Sequence, residues 1–178
     1  MLNYAVVRTD NMYGTDVRAG LVSIEYISSD TPTAIENGNV LKVGALMSHG
    51  TAPNISYERE IYVGSTPAVD DALTDIVLIA SPEIVYDERY KALDDFRNEA
   101  GKPARGYRLH SGDVFSVTKA ALDGAATPAI GDVVELKAGT KLNVVAAATG
   151  ATSGSTVVGE IIAIDTVEPY TFYVIRVD

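Results

Sequence analysis

The chain has no cysteine and no tryptophan, and only 3 Phe and 2 His among its 178 residues. Without cysteine there is no disulfide framework, no thiolate nucleophile and no zinc–thiolate site. The histidines, His49 and His110, have no partner nearby in sequence at metal-ligand spacing, so no metal site is expected. Positive charge is also scarce: Lys+Arg 14 against Asp+Glu 24 gives a net charge of −10. A surface that acidic repels phosphate backbones, so nucleic acid is not an expected partner. No apolar run approaches the roughly 20 residues a bilayer-spanning helix needs, and no membrane partner is expected. The first residues, MLNYAVVRTDNMYG, lack a basic region leading into an apolar stretch, so no secretory signal is expected.

What the chain does have is alternating apolar sequence cut by turn residues. Leu21–Ser28, Val40–Leu46, Glu58–Val63 and Asp75–Ala80 read as strands. Asn37-Gly38 ahead of the second is a reversal signal. The apolar run DIVLIA at 75–80 predicts a central strand covered on both faces. Further strands are expected over Tyr107–His110, Asp113–Thr118, Asp132–Lys137, Lys141–Ala147, Val157–Asp165 and Thr171–Val177. In Asp132–Lys137 the alternation turns Val134 and Leu136 inward and Glu135 and Lys137 outward. The charge-poor stretches Asp123–Gly131 and Ala148–Ser155 read as mobile surface loops. The 10 Tyr suit either half-buried strand positions or protein interfaces, since each has an apolar ring with a polar tip.

One segment changes period. Tyr86, Tyr90, Leu93 and Phe96 fall at i, i+4, i+7 and i+10, a single stripe of an α-helix. Ser81-Pro82-Glu83 can cap its start, Asp87 is a second candidate cap, and Gly101 with Pro103 can stop it. An amphipathic helix over 83–100 follows. The predicted class is therefore mainly β, a small barrel or sandwich of short antiparallel strands, with that one helix. Residues 1–20 are weakly patterned and read as an extended N-terminal arm. Residues 21–178 form a single β-rich domain: a first β portion (21–80), the helical segment (81–104) and a C-terminal β portion (105–178).

The chemistry-bearing residues do not gather into a catalytic set. Glu83, Asp87, Glu88, Asp94, Asp95 and Glu99 crowd one segment, with Arg89, Lys91 and Arg97 interleaved. On a helix these acids lie opposite the tyrosine–leucine stripe, as a solvated face does. Glu83 and Asp87 would share a helix face, which leaves a carboxylate-dependent hydrolase as an alternative. Ser111, His110 and Asp113 contain the residue types of a triad, but neighbours on a strand point to opposite faces. Lys102, Arg105 and Arg108, with Tyr107 between them, form a basic cluster. It suits an acidic partner surface or a phosphate, and equally the neutralisation of the adjacent helix. No phosphate loop, dinucleotide fingerprint or nucleophile elbow is present, and no cofactor is expected.

The segment SPEIVYDERYKALDDFRNEAGKPARGYRLHSGDVFSVT, followed by GDVVELKAGTKL and the closing TVVGEIIAID and YVIRV runs, resembles small head proteins of tailed bacteriophages regarded as decoration or cement proteins. The likeness is densest from Pro82 to Thr118, extends in pattern from about Asn37 to the C-terminus, and fades before Gly20. It implies a non-enzymatic structural protein, made in the bacterial host cytoplasm. Such a protein binds the major capsid protein of the same phage on the outer capsid surface of the virion. It implies a homo-oligomer, such as a trimer at a lattice symmetry point, with no cofactor or metal and no catalytic residue to carry over. Along the N-terminal segment, Tyr4, Arg8, Tyr13 and Arg18 are then expected at the capsid or oligomer interface. The alternative on the same virion surface is a host- or carbohydrate-binding module that uses the loops around Ala148–Ser155.

Overall fold

The computed structural model describes residues 3–47, 60–85, 89 and 92–178, and for Arg18 the backbone alone. It is a closed barrel with a larger sheet packed on its wall. The barrel is built from β2 (Leu21–Ser28), β4 (Val40–Leu46), β5 (Ile61–Ser65), β6 (Ile76–Ile79) and β7 (Ala104–Arg108). β2 pairs in parallel with β5 on one side and antiparallel with β7 on the other, and this double pairing closes the ring. A short strand β3 (Thr31–Pro32) adds to the end of β2. The second sheet runs in the order β1 (Val7–Asn11), β8 (Val114–Thr118), β13 (Tyr170–Val177), β12 (Val157–Val167), β10 (Val133–Glu135), β11 (Leu142–Val145) and β9 (Leu122–Gly124). Among the described residues the one α-helix is the single turn α1 (Tyr13–Asp16).

The apolar periodicity explains this arrangement. Side chains along a strand alternate between faces, so β6 serves two cores at once. Val77 and Ile79 point into the barrel with Ile24, Ile35, Leu41 and Ala104. Ile76 and Leu78 point out toward Phe115, Val117, Val134, Ile161 and Ile175 of the large sheet. That is why this stretch is apolar at every position, as expected for a strand covered on both faces. Asn37-Gly38 makes the expected reversal: Gly38 has φ 80°, and a Cβ there would stand 3.0 Å from Ala121 Cβ and 3.2 Å from Val117 Cγ1.

A barrel of five strands leaves little interior room, and two glycines make the closure fit. An added Cβ at Gly64 would meet Ile24 Cγ1 and Leu41 Cδ1 at 2.9 Å; at Gly106 it would meet Val77 Cγ2 at 2.9 Å and Val22 Cγ2 at 3.0 Å. The valines are stiff at χ1 and yield poorly. Overpacking costs about 1–3 kcal/mol, and the reduced unfolded-state entropy returns about 0.4–1 kcal/mol. Gly106→Ala is therefore expected to lose about 1–2 kcal/mol in urea unfolding, and an unchanged midpoint would contradict the tight closure.

Two expectations are corrected. Residues 1–20 are not an extended arm. β1 pairs with β8, Ala5, Val6, Val7 and Met12 are buried, and the Ala5 N–H donates to Glu36 Oε2 at 3.0 Å. The amphipathic helix over 83–100 is also not continuous. Residues 83–85 and 96–97 are not helical, Asn98 forms a β-bridge with Ile35, and among the described residues of the segment the helical part is a 3-10 turn at Leu93–Asp95. Tyr86, Asp87, Glu88, Tyr90 and Lys91 lie outside the described residues. Tertiary hydrogen bonds win at both ends of the segment, because Asn98 is bound to Ile35 and Ser81 to Asn37. The three sequence portions do not map onto the layers either: β7 closes the barrel begun by 21–80, while β1 belongs to the other sheet.

Candidate functional site

The described acids of 81–99 are distributed as structural groups, not as a facing pair. Glu83 Oε1 accepts from Asn37 Nδ2 at 3.2 Å, and Asp95 Oδ2 accepts the Ala92 N–H at 3.3 Å. Glu99 pairs with Arg97 at 3.6 Å. Asp94, expected on a solvated face, is buried and accepts the Tyr170 hydroxyl at 2.9 Å. Burial and that carboxylate raise the Tyr170 pKa above its usual value. Asp87 lies outside the described residues, as do Glu88 and His49.

Ser111, His110 and Asp113 form a tight turn. Asp113 is buried and uses its two oxygens on backbone, accepting the Tyr13 N–H at 2.7 Å and the His110 N–H at 2.9 Å. His110 Nδ1 stands 3.7 Å from Asp113 Oδ2, beyond hydrogen-bond reach, and its ring lies against Tyr13 with centroids 4.6 Å apart. A carboxylate that caps two backbone N–H groups is a turn clamp. Among the described residues no three His, Asp or Glu side chains gather to hold a metal ion, and no helix is long and apolar enough to cross a membrane.

The four residues named for an interface make different contacts. Arg8 lies on a face of the large sheet, partly exposed: its guanidinium pairs with Asp165 at 2.9 Å and lies 4.2 Å over the Phe172 ring. Tyr4 donates its N–H to the Asp94 carbonyl at 2.8 Å and lies under the Arg97 guanidinium, 5.4 Å away. Tyr13 is 48% exposed, with one side of its ring against His110. Arg18 falls in the 3-10 turn Arg18–Gly20.

A buried carboxylate organises the far end of the large sheet. Glu135, expected outward, is 1% exposed. It accepts from Asn143 Nδ2 at 2.8 Å and from the Thr152 N–H at 2.8 Å and hydroxyl at 2.7 Å. Burial alone would raise its pKa, but the Thr152 and Asn143 donors outweigh it and hold the carboxyl below the usual glutamate value. Asp132 adds a second clamp, accepting the Ala129 and Ala147 N–H groups. The stretch Ala148–Ser155, read as a mobile loop, is thus tied to β10 and β11. Val134 and Leu136 do point inward as expected. The covering of Glu135 depends on a loop that follows it by seventeen residues, and no local spacing announces it.

No family model, no curated protein and no solved structure matches the chain.

Along the barrel wall runs an open groove of about 550 Å³, between the start of β2, residues 81–82 and residues 96–105. Arg97, Lys102 and Arg105 line it, with Glu99 as the acid among the described lining residues. The basic cluster expected at Lys102, Arg105 and Arg108 is divided here. Arg108 donates to the Thr74 carbonyl at 3.2 Å, while Lys102 and Arg105 stay at the groove beside Arg97.

Proposed function

We propose that this chain is a structural virion protein that binds the outside of an icosahedral phage capsid and stabilises it. The segment Pro82–Thr118 supports the reading through its resemblance to phage head decoration proteins. The observation that carries it further is where the buried acids go. Glu135, Asp132, Asp113 and Asp94 each clamp a loop or a neighbouring side chain, which makes a rigid body with preformed surfaces. A rigid body loses little conformational freedom on docking. A ligand that binds only the assembled lattice stabilises it by mass action. Repeated contacts from a homo-oligomer, such as a trimer, make each further contact effectively intramolecular. An acidic exterior suits the side of the shell away from its DNA.

Co-sedimentation with undecorated shells of the same phage tests this. The expected result is saturable, stoichiometric binding to the outer capsid surface, seen by imaging, with a higher shell melting temperature. Shells that take up no protein would end the proposal. Because β1 belongs to the core, deleting residues 1–20 would damage the body and cannot report on binding. Tyr13→Ala is the better probe, since the residue is exposed. It is expected to weaken shell binding about tenfold, the loss of one aromatic anchor, with little change in the melting of the isolated protein. Equal occupancy would remove Tyr13 from the interface.

A further inference from the structure

We infer that the groove beside the barrel takes an acidic, extended segment of another protein. The inference stands whether or not the protein sits on a shell. Its basis is an imbalance of charge. In a chain of net charge −10, Arg8, Lys42, Lys137 and Arg176 each hold a carboxylate, and Arg108 and Lys119 donate to backbone carbonyls. Lys102 and Arg105 line the groove and hold none among the described residues. Arg97 beside them is only partly neutralised, with Glu99 at 3.6 Å. Among its described lining residues the groove thus carries two more positive than negative side chains, on a chain that is strongly acidic as a whole. Such a place attracts carboxylates and aligns them.

Shape and stiffness suit a peptide. Ser23 and Arg105 face each other in the β2–β7 register, both exposed on the outer barrel wall. Leu21, Val22, Pro82, Phe96 and Pro103 add apolar lining between the cations. A small inorganic anion would make no use of that lining, whereas a peptide with an apolar residue between two acids engages both parts. The walls are preformed. Ser81 Oγ accepts the Arg105 N–H at 2.9 Å, and Asn98 is locked to Ile35 and Asn37, so binding orders little. Nucleic acid fits poorly, since its affinity rests on neutralising many phosphates and the rest of this surface repels them.

The test uses the isolated protein and a short fluorescein-labelled peptide that alternates Glu with Leu, read by anisotropy. A peptide alternating Gln with Leu and a labelled single-stranded oligonucleotide are the comparisons. The Glu peptide is expected to bind, to bind at least about tenfold tighter than the Gln peptide, and to weaken with added salt. Lys102→Glu and Arg105→Glu are each expected to weaken it about tenfold and the double variant to abolish it, with thermal unfolding unchanged. Backbone amide shifts on titration should map to Ser23, Ser81, Lys102 and Arg105. Four results would each overturn the inference: no binding at millimolar Glu peptide, equal binding of the Gln peptide, indifference to the double charge reversal, or tighter binding of the oligonucleotide.

Discussion

Asn37→Ala is expected to lose about 3–4 kcal/mol of stability, at about 1 kcal/mol net for each of four hydrogen bonds removed from a buried site. The Asn37 amide donates to the Ser81 carbonyl at 2.8 Å and to Glu83 Oε1 at 3.2 Å. Its oxygen accepts the Ser81 N–H at 3.0 Å and Asn98 Nδ2 at 3.1 Å. One 1%-exposed side chain thus holds the segment leaving β6 and the segment that bridges Ile35 to Asn98. Alanine would leave the Ser81 N–H and carbonyl without these partners and open a polar cavity. Urea unfolding gives the magnitude, and hydrogen exchange gives the location. Protection should fall first at Ser81 and Asn98, with β6 and β8 less affected. A loss below about 1 kcal/mol would mean that water replaces the amide at little cost. Asn37→Asp separates the two halves of the network. It keeps an acceptor for Ser81 and Asn98 but loses both donors and sets a carboxylate beside Glu83, so it should be destabilised near neutral pH and recover as pH falls.

The same residue shows how much of this fold is legible from sequence. The reversal at Asn37-Gly38 is a local feature and can be read locally, since a positive φ and a two-sided packing constraint both call for Gly38. The strands β2 and β4 begin and end where their alternation does. The two-faced burial of β6 follows from its uniform apolarity. By contrast, the role of the Asn37 side chain depends on residues more than forty positions later. The helix expected over 83–100 is interrupted in its described residues for the same reason. A spacing of four, seven and ten residues is compatible with a helix, but the ends of the segment are tied down by Asn37 and Ile35. Long-range hydrogen bonds to buried groups outweigh propensities worth a few tenths of a kcal/mol per residue. β1 was hidden in the same way. An edge strand pairs on one side only, so its alternation is weak, and its partner β8 lies more than a hundred residues along the chain. Of the candidate sites, the basic cluster was legible as composition. Only the fold separates Arg108 from Lys102 and Arg105.

The second large effect is expected at Glu135, and it carries a pH signature that Asn37→Ala lacks. Its carboxylate receives three hydrogen bonds from Thr152 and Asn143. Bonds to a charged group contribute about 1.5–3 kcal/mol each, from which the cost of burying the charge is subtracted. A net loss of about 3 kcal/mol in Glu135→Ala follows. Part of it should appear as local opening of Ala148–Ser155, since the stretch is exposed apart from Thr152's hydrogen bonds and the turn at Gly150. Glu135→Gln keeps the shape, and rotation of the Asn143 amide and the Thr152 hydroxyl can satisfy the new NH2 group, so about 1–2 kcal/mol is expected there. The pH dependence follows from linkage. The folded-state pKa of Glu135 lies below the ordinary value of 4.5, so the unfolded chain binds the proton more readily. The stabilisation from the charged form is therefore complete above about pH 4.5 and is lost as pH falls through the depressed folded value. The stability gap between the native chain and Glu135→Gln should be constant near neutral pH and shrink on acidification below that point. Urea unfolding of both proteins across that range measures it. A gap that stays constant into strong acid would show that the carboxylate contributes no more than its shape, and that some other contact holds the loop to β10 and β11.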